Sequence, residues 1–115
     1  MASDASCIFC KIVAGQIPFK GVYEDSELLA FHDIQPWAPV HVLIIPKVHI
    51  ATLSDTGPEH AAMLGRMLAL APALMRELGV INGYRTFVNT GRDGGQEVYH
   101  LHMHVMGGPR PWIKG

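Results

Sequence analysis

The sequence has no long hydrophobic run and no block of basic residues. No apolar segment approaches the ~20 residues that span a bilayer, so we expect no contact with a membrane. Lys and Arg number 9 and Asp and Glu number 10, a balance that excludes an extended nucleic-acid interface. The residues Met1 to Asp4 lack the basic and apolar regions of a signal peptide, so we expect a cytoplasmic protein.

Cysteine is also scarce, and both copies lie in one motif, Cys7-x-x-Cys10. A structural disulfide is rare in a cytoplasmic protein. A redox-active Cys-x-x-Cys follows a strand, and too few residues precede Cys7 to form one. Half of a zinc site is therefore the interpretation that stays open.

The chain of 115 residues, without repeats or low-complexity segments, predicts a single domain with a core at about 7–108 and a C-terminal tail at 109–115. We predict an α+β fold with a short helix at 7–14 and an antiparallel sheet of about five strands with the helices on one face. Alternating or β-branched apolar runs predict the strands, which are Val22–Glu24, Leu28–Asp33, His41–Pro46, Tyr84–Asn89 and Val98–Met106.

A long helix is predicted between the third and fourth strands. Thr56 and Glu59 have the spacing of a capping box, and Gly79 fits the end of a helix. The apolar arc between them, which includes Leu68, is wide enough to be buried on more than one side.

Three histidines alternate with apolar residues near the end of the chain. In a strand, His100, His102 and His104 would share one face, while Leu101 and its apolar partners would point to the core. Gly94 precedes this run in a glycine-rich loop whose backbone N–H groups suit an anion. Because imidazole titrates near neutrality, the combination predicts acid–base or nucleophilic chemistry at a phosphate.

The segment 94–108 resembles the signature of the histidine triad family, in particular the nucleotide-binding branch that hydrolyses purine nucleoside phosphoramidates. Residues 8–9, 30–34 and 38–50 follow the pattern of the same branch, so the resemblance extends from about residue 7 to Trp112. It implies a homodimer that binds AMP or GMP derivatives and needs no catalytic cofactor. The implied dimer interface is the long helix with the strand 84–89.

The resemblance also implies a role for each histidine. His102 would attack the α-phosphorus to form a covalent nucleotidyl-histidine, and a protonated neighbour would supply the proton of the leaving group. His104 would contact the scissile bridging atom, and the backbone carbonyl of His100 would fix the tautomer of His102. His41 would be the fourth histidine of the cluster.

The nucleotide would be held by residues from three parts of the chain. Asp33 would accept from the ribose hydroxyls, and the glycine-rich loop would hold the phosphate. Position 97 is Glu where some relatives carry Ser, so only a backbone contact is carried over there. The full set is Ile8, Phe9, His32, Asp33, Ile34, Asn89, Gly95, Gln96, Glu97 and Val98.

Four alternatives remain open. A structural zinc, known in some members with Cys-x-x-Cys, would be bound by Cys7, Cys10, His49 and His100. The His-x-His spacing also occurs in zinc hydrolases. A dinucleoside polyphosphate hydrolase is disfavoured because that branch usually carries Gln where His104 stands, and a nucleotide-binding adaptor protein would keep binding without turnover.

Overall fold

The computed structural model describes residues 3–114; Met1, Ala2 and Gly115, which belong to the predicted N-terminal segment and tail, lie outside the described residues. The structure confirms an α+β fold with one long and one short helix and a five-stranded sheet. Its elements are α1 (Ile8–Val13), β1 (Gly21–Glu24), β2 (Leu28–His32), β3 (Val40–Pro46), α2 (Ala61–Glu77), β4 (Tyr84–Phe87) and β5 (Met103–Gly107), with 3₁₀ turns at Leu53–Asp55 and Pro58–His60.

The strands are ordered β1-β2-β3-β5-β4, and every neighbouring pair is antiparallel. β3 lies in the middle and is buried along almost its whole length, as its β-branched sequence predicts. In the register of β3 with β5, Leu43 lies opposite His104, and β4 places Phe87 on the other side of that histidine.

Two apolar clusters cover the two faces of the sheet. Val42 and Ile44 of β3 pack with α2, while Leu43 and Ile45 pack with α1. The prediction that the helices share one face is therefore wrong. Because β3 presents apolar side chains on both sides, each side needs its own cover, and the short helix supplies the second one.

The predicted start of the long helix is also wrong. The carboxylate of Asp55 caps the preceding 3₁₀ turn by accepting from the N–H and hydroxyl of Thr52 at 3.1 and 2.9 Å. The hydroxyl of Thr56 donates to the carbonyl of Leu53, and the Glu59 side chain is 73% exposed, so these two form no capping box. The predicted end is correct: Gly79 has φ +82° and directly follows the last turn of α2.

The last strand is shorter than predicted, because residues 98–102 do not pair with β3. Pro46 of β3 has no N–H to bond to this segment, so the pairing of β3 with β5 stops beside Pro46. The alternation of faces nevertheless persists: Leu101 packs in the α2 cluster with Val105. The fourth strand also ends earlier than predicted, at Phe87 instead of Asn89. No helix among residues 3–114 is both long and apolar enough to cross a membrane.

Candidate active site

Four buried histidines meet on the α1 side of the sheet, as the sequence predicts. His102 directly precedes β5, His104 lies within it, and His41 lies on the neighbouring β3. The ring centroids of His102 and His104 are 4.9 Å apart, and Nε2 of His41 lies 2.9 Å from Nδ1 of His104. His100 lies behind His102 and is completely buried.

The tautomer of His102 is fixed by the main chain. Its Nδ1 lies 2.7 Å from the carbonyl oxygen of His100, the contact that the family resemblance implies. A carbonyl only accepts, so Nδ1 carries the proton and Nε2 carries the lone pair. Burial lowers the pKa of His102, although the carboxylates of Asp33 and Glu97 oppose this shift. His102 is therefore a neutral imidazole with a nucleophilic Nε2 at pH 7.

A second backbone group fixes the protons of His41 and His104. The N–H of Trp37 donates to Nδ1 of His41 over 3.0 Å, so the proton of His41 lies on Nε2. This Nε2–H donates to Nδ1 of His104, which leaves the proton of His104 on its own Nε2. Burial, with His102 and His41 nearby, lowers the pKa of His104 to about 3. His104, the neighbour of His102, is thus a neutral hydrogen-bond donor, whereas a protonated imidazole is expected from the sequence.

Asp33 lies beside this pair at the end of β2. Its Oδ1 accepts from the N–H of Gln35 at 2.9 Å, and its Oδ2 is 3.5 Å from Nε2 of His41. The side chain is 20% exposed, so the carboxylate is open to a ligand. The register of β2 pairs His32 with Val42, which packs with α2, so His32 lies on the opposite face from Asp33.

Apolar side chains of the predicted nucleotide set border the histidines. The ring of Phe9 is buried and lies edge-on to His102 at 5.2 Å. Ile8 on α1 is 47% exposed and Ile34 after β2 is 95% exposed, which leaves apolar surface for a planar base. Val98 is partly buried against the same cluster as Phe9.

The glycine-rich loop is held by Gln96, whose buried side chain forms three hydrogen bonds. Its Oε1 accepts from the N–H of Gly91 at 2.9 Å, and its Nε2 donates to the carbonyls of Ala51 and Val98 at 2.8 and 3.0 Å. Its own N–H donates to the carbonyl of Gly91 at 3.0 Å. Gln96 therefore positions the loop, and its donors are already used within the chain.

Other loop residues differ in what they offer a ligand. The N–H of Gly95 donates to the carbonyl of Arg92 at 3.1 Å, and Gly95 has φ +78°, which favours glycine. Within residues 3–114, no acceptor contacts the N–H of Glu97, and its side chain is exposed. Asn89 is half-buried before the loop. The N–H of Glu97 is thus free to contact a ligand, whereas the N–H of Gly95 is already used within the loop.

The predicted metal ligands also come together. The ligand atoms of Cys7, Cys10, His49 and His100 all lie within 4.8 Å of one another. Nδ1 of His100 is 3.3 Å from Sγ of Cys7 and 3.5 Å from Sγ of Cys10, and Nδ1 of His49 is 3.3 Å from Sγ of Cys10. Two thiols and two imidazoles converging in this way form the donor set of a tetrahedral zinc site.

The outer nitrogens of both imidazoles have partners that suit such a site. Nε2–H of His100 donates to the carbonyl of Pro46 at 2.8 Å, so its Nδ1 lone pair faces the sulfurs. Nε2 of His49 lies 4.0 Å from the carboxylate of Asp4. Metal-bound histidines in proteins are commonly oriented by a carbonyl or a carboxylate in this manner.

Sequence reasoning left one residue of this region unassigned. That residue is Trp37, whose N–H donates to His41. Its carbonyl accepts from the N–H of Ile113 at 2.7 Å, so the C-terminal tail folds back onto Trp37. Main-chain atoms make these contacts, so they do not depend on the residue type at position 37, and the sequence could not predict them.

A comparison with known proteins agrees with this fold. Residues 14–110 match the family model described as the HIT domain. The purine nucleoside phosphoramidase of Escherichia coli is 49% identical over 102 residues, which cover 88% of this chain and 86% of that protein.

Solved structures give the same result. A HIT family hydrolase from Legionella pneumophila superposes with a TM-score of 0.88 at 47% identity, over 91% of this chain and 95% of that chain. A Zn-bound histidine triad family protein from Mycobacterium smegmatis gives 0.78 at 38% identity, over 89% of this chain and 74% of that one. The sheet and its histidine cluster define a protein of the histidine triad class. The chain belongs to the HIT domain family.

Proposed function

We propose that this protein hydrolyses the P–N bond of purine nucleoside 5′-phosphoramidates through a covalent nucleotidyl-His102. The observation that carries the proposal is the pair of fixed tautomers: a lone pair on Nε2 of His102 lies beside an N–H on Nε2 of His104. The name of the Escherichia coli relative, purine nucleoside phosphoramidase, supports the substrate class.

In the first step, Nε2 of His102 attacks phosphorus, and a new P–N bond forms as the P–N bond to the amine breaks. The amine leaves with the electron pair and one added proton. A neutral imidazole that lost its proton would become an imidazolate, so His104 stabilises the reacting atoms as a hydrogen-bond donor. The added proton is already on the substrate nitrogen when the substrate binds, or it comes from water.

In the second step, water attacks the phosphorus of the nucleotidyl-histidine. The P–N bond to His102 breaks, and its electron pair returns to Nε2. The water proton is released, which balances the proton taken up in the first step, and the product is a nucleoside monophosphate. The imidazole ends in its initial neutral state, so no further proton transfer is needed to reset it.

The nucleotide is held from both sides of this pair. The partly exposed carboxylate of Asp33 can accept from both vicinal hydroxyls of a ribose. Ile8 and Ile34 supply exposed apolar surface for the purine, and the buried ring of Phe9 lies beside His102. The N–H of Glu97 and the side chain of Asn89 are the groups of the loop region that we assign to the phosphate and leaving group.

An assay with a fluorogenic adenosine phosphoramidate, with and without a chelator, tests this proposal. We expect release of the amine together with AMP, and turnover that survives the chelator because His102 supplies the nucleophile. Loss of turnover with the chelator at an unchanged melting temperature would indicate a zinc hydrolase instead. Turnover of a dinucleoside polyphosphate alone would indicate the polyphosphate branch, and AMP binding without any turnover would indicate an adaptor.

We further propose that Cys7, Cys10, His49 and His100 bind a structural zinc ion. The convergent thiols and imidazoles support this, as does the similarity to a Zn-bound histidine triad family protein from Mycobacterium smegmatis. The ion would tie α1 to the segment that carries His100. Zinc would act there as a structural ion, since four protein ligands complete a tetrahedral site.

The zinc proposal predicts about one zinc ion per chain in protein purified without added metal or a polyhistidine tag, measured by elemental analysis. His49→Ala should lose the ion and lower the melting temperature by about 5–10 °C, because a ligand that binds only the folded state stabilises it. His60→Ala removes an imidazole outside the cluster and should keep the ion. Zinc-free wild-type protein would disprove the proposal.

We also propose that the protein is a homodimer through α2 and β4. β4 is an edge strand of the sheet, and its Tyr84 is 41% exposed. Leu68 on α2 is 54% exposed despite its apolar side chain. An exposed edge strand beside exposed apolar residues suits pairing with a second copy. Sedimentation velocity at micromolar concentration distinguishes the dimer from a monomer.

A further inference from the structure

Two aromatic rings flank the imidazole of His104. Phe87 stacks on it with ring centroids 4.5 Å apart and an interplanar angle of 7°, and Trp37 stacks with 6.0 Å and 12°. Phe87 comes from β4, while Trp37 lies just before β3. Because β3 and β4 lie on opposite sides of β5, the two rings approach His104 from opposite sides.

The chemistry proposed above depends on where both nitrogens of His104 point. Nδ1 must stay at Nε2 of His41, and Nε2–H must face the atoms next to His102. The χ2 torsion of histidine has broad minima, so hydrogen bonding at one nitrogen alone leaves the ring plane poorly defined. Two aromatic rings that lie nearly parallel to the imidazole restrict that rotation.

We propose that Phe87 and Trp37 are positioning residues that clamp the imidazole of His104 in the plane required for P–N cleavage. The proposal rests on the proposed function for its kinetic consequence, whereas the clamp itself is a property of the free protein. Neither aromatic side chain donates or accepts a proton in the reaction, so both act only through His104.

The clamp also determines which charge state His104 adopts. The faces of aromatic rings attract a cation, which favours imidazolium, whereas the exclusion of water disfavours it. The titratable groups that face His104 are His102, which directly precedes the same strand, and His41 on β3. Beyond them lie Asp33, next to His41, and Lys114, whose Nζ is 4.9 Å from the centroid of the Trp37 ring.

In this arrangement the exclusion of water outweighs the attraction of the aromatic faces for a cation, so His104 stays neutral. The N–H of Trp37 occupies Nδ1 of His41, so a second proton on His104 would break the hydrogen bond between the two histidines. Burial is accordingly the largest cause of the low pKa of His104. Replacing Phe87 by a smaller side chain admits water to one face and removes one wall of the clamp.

The test combines kinetics with nitrogen NMR of the histidines in nucleotide-free protein. For Phe87→Leu, we expect kcat to fall about tenfold with KM within about twofold, because misplacement of a catalytic group mainly affects the transition state. The pKa of His104 should rise toward its ordinary value, and its nitrogen shifts should show a mixture of tautomers. Phe87→Tyr keeps the ring and should restore both readouts.

Tyr23→Leu serves as the matched control, because it removes an aromatic ring from β1 at the far edge of the sheet. It should leave kcat and the His104 signals unchanged. Trp37→Leu, in a loop, provides a second test of the clamp if Phe87→Leu does not fold. An unchanged kcat and unchanged His104 signals in either folded leucine variant would overturn the proposal.

The two proposals fail in different ways. If wild-type protein shows no phosphoramidase turnover, the proposed function fails. The pKa and tautomer of His104 in the free protein still decide whether the aromatic rings clamp it. If turnover is present and the NMR signals of Phe87→Leu match those of wild type, the clamp alone is wrong.

Discussion

His102→Ala is expected to lower phosphoramidase turnover by at least about 10⁴-fold while nucleotide binding persists. Removal of a covalent nucleophile eliminates the reaction path and not merely one stabilising contact, which accounts for the size of the effect. The variant keeps Asp33, Phe9 and the glycine-rich loop, so AMP affinity measured by calorimetry should stay within a fewfold of wild type.

A matched control separates loss of the nucleophile from a general disturbance. His60→Ala removes a histidine from the turn before α2 and should retain wild-type turnover. Wild-type protein quenched during turnover should carry one nucleotidyl group on His102, detected by mass spectrometry, and His102→Ala should carry none. Substantial turnover by His102→Ala would contradict covalent catalysis at this residue.

Gly94→Ala is expected to lower kcat/KM about 100-fold by displacing the glycine-rich loop. A Cβ atom at this position would lie 2.3 Å from the carbonyl oxygen of Thr90 and 2.8 Å from its nitrogen. Both are backbone atoms, so the clash is relieved only if the loop itself moves. A shift of ~1 Å near reacting atoms is enough for an effect of this size.

Gly65→Ala is the control for this substitution. Gly65 lies in α2 and has no atom within 4 Å of an added Cβ, so alanine should stabilise the helix by up to about 1 kcal/mol. Gly94→Ala should instead lower the free energy of unfolding, measured with urea, by about 1–3 kcal/mol. Equal stability and equal kcat/KM in the two variants would show that the loop tolerates a side chain at position 94.

The sequence predicts most of the fold and the shared face of His100, His102 and His104 because both depend on alternation of side chains. The place of His41 beside them is implied by the family resemblance alone. His100, His102 and His104 fall on the face opposite Leu101 even though only His104 lies in a regular strand. Alternation specifies the face that a side chain occupies, but not where hydrogen-bonded pairing stops. The end of the ladder depends on Pro46, a residue of a different strand that no local pattern connects to residue 102.

The misplaced elements have a related cause. Thr56 and Glu59 have the spacing of a capping box, but the capping contact forms one turn earlier, between Thr52 and Asp55. The path of the chain determines which of the two pairs comes together. The short helix lies on the face opposite to the predicted one, because its few residues do not show which side of β3 they cover. The stacking of Trp37 and Phe87 on His104 joins three separate segments and has no signature in any of them.

The atoms that set the protonation pattern of the site belong to the main chain: the carbonyl oxygens of Pro46 and His100 and the N–H of Trp37. Every residue type has a carbonyl, and every type except proline has an N–H. A substitution at one of these positions therefore keeps the hydrogen-bonding main-chain atom itself, whatever role the side chain has. In a library of all substitutions at position 37, proline alone deletes the donor that orients His41.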